Sequence, residues 1–264
     1  MGKIITFLRY SVDFIKYREF RYILSSIRYI LTGKTTRKTR YYQSSLGKFI
    51  VRKGSLDFQF ANYAYEFNVK KFVYKELNNY NVFLDVGANI GTYCIIPALA
   101  GLKVIGWEPG HSNFEALKTN IELNNFQDKI SIYPYALGNK KRSASFTVDP
   151  INTGASHLTE IEENCEHIEN PEFEDIEIVR FDDVKKEYNL NPEDKVIMKV
   201  DVEGMEIDVL KGAEEFIKNQ KNLLIIIETI HTGAENIKKI LNSLGEFSYH
   251  DIDELNMAAY KLNS

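Results

Sequence analysis

Apolar positions in this chain change their spacing several times. Ile5, Leu8, Val12 and Ile15 recur at helical intervals, and so do Leu24, Ile27 and Leu31, which predicts two amphipathic helices before Gly33. Gly33 and the polar run Lys34-Thr35-Thr36-Arg37-Lys38-Thr39-Arg40 predict a linker or exposed turn. Residues 48–60 predict two short strands around Gly54, and residues 61–77 a helix. From residue 82 short apolar runs alternate with helical spacing. Strands are expected at 82–86, 103–107 and 130–135, with helices over about 90–100 and 111–124 between them. The alternation pauses over 136–180, which holds a Gly138-Asn139 turn, a strand-like 143–148 and nine acids between Glu160 and Glu177, expected to be a solvated loop. It resumes with a strand at 196–200, a helix to about 218, a strand at 223–227, a helix at 235–244 and strands near 246–250 and 257–262.

Strand-helix alternation of this kind implies an α/β fold with a mostly parallel sheet and ligands at the carboxyl ends of its strands. The expected organisation is a basic amphipathic helical arm (1–45), a strand/helix lead-in (46–80) and a main domain (81–264) with an acidic insertion at 140–180. A length of 264 residues suits one such domain with an appendage, and 44% hydrophobic residues exclude a disordered chain. Cys94 and Cys165 form neither a disulfide framework nor a zinc cluster. Charges interrupt each apolar run near the N-terminus, so no secretory signal or membrane span is expected, and a reduced, cytosolic compartment follows.

The net charge of −4 hides an asymmetry: residues 1–53 carry +11 and residues 54–264 carry −15. Two explanations stand side by side. The arm packs on the acidic body or on a second subunit of a homo-oligomer, or it meets an anionic partner, either the inner face of a membrane through residues 1–40 or a phosphorylated or lipid-linked glycan acceptor. Ten aromatics in residues 1–53 also permit RNA stacking, but no RNA-binding module is present and nucleic acid is not favoured.

The turn after the strand at 82–86 reads Asp85-Val86-Gly87-Ala88-Asn89-Ile90-Gly91. It has neither the glycine spacing of a dinucleotide fingerprint nor a phosphate-gripping loop. An acid and glycines at a strand end favour a cationic group and close backbone approach. Glu108 ends the next strand 23 residues after Asp85, the spacing of ribose-binding acids in nucleotide-binding α/β folds. A ligand with an ammonium, a ribose and no phosphate meets those demands. Asp85 as a simple helix cap and Glu108 as a surface acid are the plain alternatives. Trp107 and Cys94 read as packing residues.

Phe83 through Tyr93, Glu108-Pro109 with Asn113-Phe114, Leu117 and Asn120, Ala136-Leu137-Gly138-Asn139, Asn152 through Ser156, Lys199-Val200-Asp201-Val202-Glu203-Gly204-Met205-Glu206 with Val209-Leu210-Lys211-Gly212, and Ile227-Glu228 with His231 together resemble the motifs of the FkbM methyltransferases. The resemblance covers about 48–231, in order. It implies a Rossmann-like seven-stranded methyltransferase sheet, S-adenosylmethionine as cofactor, and O-methylation of a sugar, glycan or related metabolite. Asp85, Gly87, Ala88, Asn89, Gly91, Thr92, Glu108, Pro109, Asn113, Ala136, Leu137 and Asp201 are then expected at the cofactor, and Asp201, Glu203 and His231 at the chemistry. Metal-free base catalysis is the preferred reading, with a divalent cation on Asp201, Glu228 and His231 as its alternative. A non-catalytic scaffold with the same fold and an RNA hydroxyl methyltransferase are the other functions weighed. No Asn-Pro-Pro-Tyr motif follows the fourth strand, which speaks against base methylation.

Overall fold

The computed structural model describes residues 2–161 and 168–262. In chain order it has α1 (Gly2–Lys16), α2 (Phe20–Thr32), β1 (Arg40–Ser44), β2 (Gly47–Val51), α3 (Asp57–Phe60), α4 (Phe67–Glu76), β3 (Val82–Val86), α5 (Thr92–Leu99), β4 (Lys103–Trp107), α6 (His111–Leu123) and β5 (Ile130–Tyr133). Four strands follow: β6 (Ala136–Leu137), β7 (Arg142–Val148), β8 (His157–Leu158) and β9 (Glu172–Val179). The remaining elements are α7 (Phe181–Val184), β10 (Lys195–Val200), α8 (Glu206–Gly212), α9 (Glu214–Asn219), β11 (Asn222–Glu228), α10 (Ala234–Leu244), β12 (Phe247–Asp251) and β13 (Asn256–Lys261).

The main sheet has the order β12-β13-β11-β10-β3-β4-β5, with β13 alone running against its neighbours. Its central strands β3, β10 and β11 are buried on both faces, which explains why they read as continuous apolar runs rather than alternating ones. Phe83, Val104, Ile197 and Leu224 face one layer of helices; Leu84, Ile105, Met198 and Ile225 face the other. From β3 the chain steps outward to β5, then returns to β10 on the opposite side. The carboxyl ends of β3 and β10 therefore form the switch point, where open parallel sheets place their ligands.

Two sequence expectations are corrected here. Of the two strands expected within 48–60 only β2 is present; its partner is β1, inside the stretch expected to be a helical arm, joined to it at Ser45-Leu46, while residues 57–60 are helical. The reason is Asp57, a fully buried carboxylate that takes Arg52 N–H at 2.9 Å and Arg52 Nε–H at 2.8 Å and so turns the chain back after β2. The acidic run, expected to be a solvated loop, contains β9, paired antiparallel to β7 from Arg142↔Ile178 to Val148↔Glu172 in a sheet ordered β6-β9-β7-β8. Ile176 and Ile178 point inward to Phe146, Leu158 and Met205, and Glu177 points out. The period of two was present, but the density of acids masked it. Cys165 and His167 lie outside the described residues.

The arm differs from its helical pattern in a third way. Its buried side is aromatic: Tyr10, Phe14 and Tyr22 pack with Tyr42 and Phe58 and join the cluster that covers one face of the main sheet. The stripe of Ile5, Leu8, Val12 and Ile15 lies on the opposite, exposed side. Large rings remove more apolar area from water than the aliphatic stripe does, and they win the core side.

Candidate active site

The cleft at the switch point is made by two loops pressed together. Gly87 has φ +87°, and a Cβ there would stand 1.9 Å from the Asp201 carbonyl oxygen. The Gly87 and Ala88 N–H groups donate to the Trp107 carbonyl at 3.1 and 2.9 Å, and Asp201 N–H donates to the Val86 carbonyl at 3.0 Å. No other side chain fits that crossing. The cleft has two chemically different halves that share Gly87, Asn89, Gly154, Asp201 and Glu203. One is apolar, walled by Trp107, Pro109, Ala136, Leu137 and Phe146, with Glu108 at its edge. The other is polar and aromatic, with Phe60, Tyr65, Tyr93, Glu66, Lys70, Lys199 and Glu228.

Glu108 is buried and ties two loops together, accepting Asn89 N–H from the turn after β3 at 2.8 Å and Gly110 N–H from its own loop at 2.9 Å. Burial pushes its carboxyl up to about 7 against those hydrogen bonds. Asp85 lies beneath the cleft, beside Lys199 in the strand register; it accepts the Cys94 thiol at 3.3 Å through Oδ2, while Oδ1 is buried without a hydrogen-bond partner among the described residues. Burial pushes Asp85 up to about 7, and Lys199 opposes the shift. Lys199 itself is buried, 2.5 Å from Asp201 Oδ2 and 4.5 Å from the Tyr93 ring centroid. Burial alone would lower its ammonium, but Asp201, Glu66 and Asp85 together hold it above its ordinary value.

The Asp85 shift has a measurable consequence. Its folded value of about 7 exceeds the ordinary 3.8, so its contribution to stability is full below about pH 4 and is lost as pH rises through 7. Thermal melts between pH 4 and 8 should show this decline, on the order of 4 kcal/mol from this group. Asp85→Asn should flatten the profile over that window; an unchanged slope would refute the assignment.

The expected metal trio is rearranged. Asp201 turns to Lys199, and Glu203 takes its place: ligand atoms of Glu203, Glu228 and His231 lie within 4.8 Å of one another. His231 Nε2 is 3.0 Å from Glu203 Oε2 and 4.0 Å from Glu228 Oε2. Burial, then Asp201 and Glu228, push Glu203 up to about 9; burial and Asp201 likewise raise Glu228.

Other expected residues fall at varied distances from the cleft. Ala88 and Thr92 line its polar half, and the Thr92 hydroxyl donates to the Phe60 carbonyl at 3.1 Å. Asn113 lines the apolar half and donates to the Thr153 carbonyl at 3.0 Å, bracing the 152–156 loop. Gly91 lines neither half and packs under Leu117. The Gly138 and Gly212 motifs meet each other, since a Cβ on Gly212 would stand 1.9 Å from the Gly138 carbonyl oxygen. That pair is architectural. Sequence reasoning missed Lys70, Tyr65, Tyr93 and the part played by Lys199. A lysine inside an otherwise apolar strand is a detectable signal, because such a charge needs a buried partner.

Proteins similar in sequence to this chain are methyltransferases. Residues 85–261 match the model of the methyltransferase FkbM domain. Hexuronic acid methyltransferase AglP of Haloferax volcanii is 28% identical over 182 residues, covering 67% of this chain and 68% of that protein. Methyltransferase sdnD of Sordaria araneosa is 26% identical, covering 55% of this chain and 69% of that one. Among solved structures, the methyltransferase FkbM of Methylobacillus flagellatus matches with a TM-score of 0.47 at 18% identity, covering 69% of this chain but only 44% of its own. With two thirds of its length matched by the family model, the chain belongs to the FkbM methyltransferases.

Proposed function

We propose that the protein transfers a methyl group from S-adenosylmethionine to a hydroxyl of a sugar, glycan or related small metabolite. The observation that carries this reading is the divided cleft: an apolar slot beside a buried glutamate adjoins a polar chamber lined by Glu203, whose carboxylate pairs with His231 outside the lining. The residues fit the cofactor. The polar half holds Glu66, Asp201, Glu203 and Glu228 against Lys70 and Lys199, and Glu228 Oε2 is buried without a hydrogen-bond partner among the described residues. A site so short of positive charge suits a cationic ligand. Bound in the apolar half and reaching the residues shared by the two halves, S-adenosylmethionine would supply an electrophilic methyl group on a positively charged sulfur.

Glu108 would exchange its loop N–H contacts for ribose hydroxyls, and Trp107, Pro109, Ala136 and Leu137 would enclose the base. In the other half the rings of Phe60, Tyr65 and Tyr93 suit the apolar face of a sugar, and Lys70 and Lys199 supply donors to its oxygens. Asp201, tied to Lys199, positions; the Glu203–His231 pair receives the hydroxyl proton. A cation bound in the cleft would lower Glu203 from its raised value and so favour the carboxylate form that takes up a proton. Similarity to a hexuronic acid methyltransferase supports a sugar-class acceptor.

Calorimetric titration with S-adenosylmethionine tests the cofactor half of this reading. Wild type should bind, and Glu108→Ala should lose on the order of 1–3 kcal/mol. No detectable binding by wild type would favour the scaffold reading. Product mass after incubation with uronic acids, nucleotide sugars and lipid-linked sugars tests the acceptor half. A second reading rests on the cluster of Glu203, Glu228 and His231, whose donor set suits a divalent cation that would lower the hydroxyl pKa. Full activity after chelation with EDTA would eliminate it.

A further inference from the structure

The exposed side of the arm has an unusual composition. Ile5, Leu8, Val12 and Ile15 on α1 and Phe20, Leu24, Ile27, Ile30 and Leu31 on α2 are all exposed large apolar side chains. Monomeric soluble proteins rarely leave so many together. The two acids among residues 1–53 are turned inward: Asp13 is 1% exposed and accepts Ser45 N–H and Oγ–H at 3.2 Å each, and Glu19 is 8% exposed and accepts Gln43 N–H at 3.3 Å. Every exposed charge from residue 5 to residue 53 is therefore positive, including Arg9, Lys16, Arg18, Arg21, Lys34, Arg37, Lys38 and Arg40.

At the edge of this surface lies a cavity of about 430 Å³ between α2 and residues 35–40. Arg21, Arg28, Arg37, Lys38 and Arg40 line it, and no carboxylate among the described residues does. Arg28 Nη1 donates to the Thr35 carbonyl at 2.9 Å and Arg21 Nη2 to the Tyr41 carbonyl at 3.3 Å, which fixes two of its walls. Arg37, Lys38 and Arg40 have no carboxylate partner among the described residues. Two lining side chains, Tyr22 and Thr35, are buried and carry hydroxyls with no hydrogen-bond partner among those residues. Buried hydroxyls left in that state are costly unless a ligand completes them. Leu24, 69% exposed, lines the same cavity, so the apolar stripe and the basic cavity are continuous.

We propose that α1 and α2 dock on an anionic lipid surface, their aliphatic side chains entering the acyl boundary while the Arg21–Arg40 cavity holds a headgroup phosphate. Aliphatic side chains flanked by cations are the pattern of an interfacial helix. A second copy of the chain explains the surface less well. A two-fold interface would set this cationic face against itself, and the acidic body would leave the aliphatic stripe uncovered. The proposal stands apart from the methyl-transfer reading, because it uses none of the residues of the cleft.

Co-sedimentation of the full chain with vesicles of phosphatidylcholine alone, or of phosphatidylcholine with phosphatidylglycerol, tests it. Pelleting is expected with the anionic vesicles and should weaken as salt is raised. Arg37→Gln/Lys38→Gln/Arg40→Gln should lower the partition coefficient about a hundredfold. Leu8→Glu/Leu24→Glu should lower it about tenfold or more. Both variants change only exposed side chains, and melting curves matching wild type will show that they fold. Four results overturn the proposal: protein that stays in the supernatant with every vesicle, equal pelleting with neutral vesicles, saturable binding of inorganic phosphate without vesicle binding, and a dimer that Leu8→Glu/Leu24→Glu dissociates in the absence of lipid binding.

Discussion

Gly87→Ala is expected to destabilise the protein by roughly 3–5 kcal/mol and to abolish cofactor binding. Two costs combine. The backbone at Gly87 has φ +87°, which a side chain tolerates poorly, and the added Cβ would stand 1.9 Å from a backbone carbonyl oxygen that cannot rotate away. Relief requires the β3 and β10 loops to part, which opens the floor shared by both halves of the cleft. Gly101→Ala is the matched control: Gly101 has φ +92° with nothing within 4 Å of the added Cβ, so it should lose only about 1 kcal/mol. Urea denaturation of both variants separates the conformational cost from the clash. Equal losses in the two would show that the loops do not press together as described.

Glu203→Gln is expected to lower turnover about 10²–10⁴-fold while leaving S-adenosylmethionine affinity within a few-fold of wild type. Glutamine keeps the shape and a contact to His231 Nε2 but cannot take up a proton. Asp201→Asn should behave differently. It removes the carboxylate 2.5 Å from the buried Lys199 ammonium, leaving Asp85 and Glu66 to neutralise that charge. Its main effect should be a loss of stability, of order 3 kcal/mol, since breaking a buried pair strands the surviving charge. Single-turnover rates and melting temperatures, measured on both variants, distinguish base from positioning residue. Wild-type turnover in Glu203→Gln would remove Glu203 from the chemistry. A severe rate loss with unaltered stability in Asp201→Asn would return the base to Asp201.

Much of this molecule is legible in its sequence. Short, mostly apolar runs at 82–86, 103–107, 196–200 and 223–227 read as strands covered on both faces, and the helical spacing between them implied crossovers. Those are local signals, with periods set by the backbone itself. The Gly87 turn and the acid at 108 were legible for the same reason: each serves a backbone conformation or a strand end.

Tertiary structure decided what depends on choosing between competing partners. Both sides of α1 and α2 are apolar enough to be buried, and only packing against Tyr42 and Phe58 turned Phe14 and Tyr22 inward and the aliphatic stripe outward. Asp201 and Glu203 are two residues apart and look equivalent in the sequence. Lys199 sits within reach of one of them, and that pairing sends Asp201 to the ammonium and leaves Glu203 with His231 and Glu228. Periodicity reports which residues share a face; it carries no information on which face finds a partner, because that free energy resides in contacts between segments far apart in the chain.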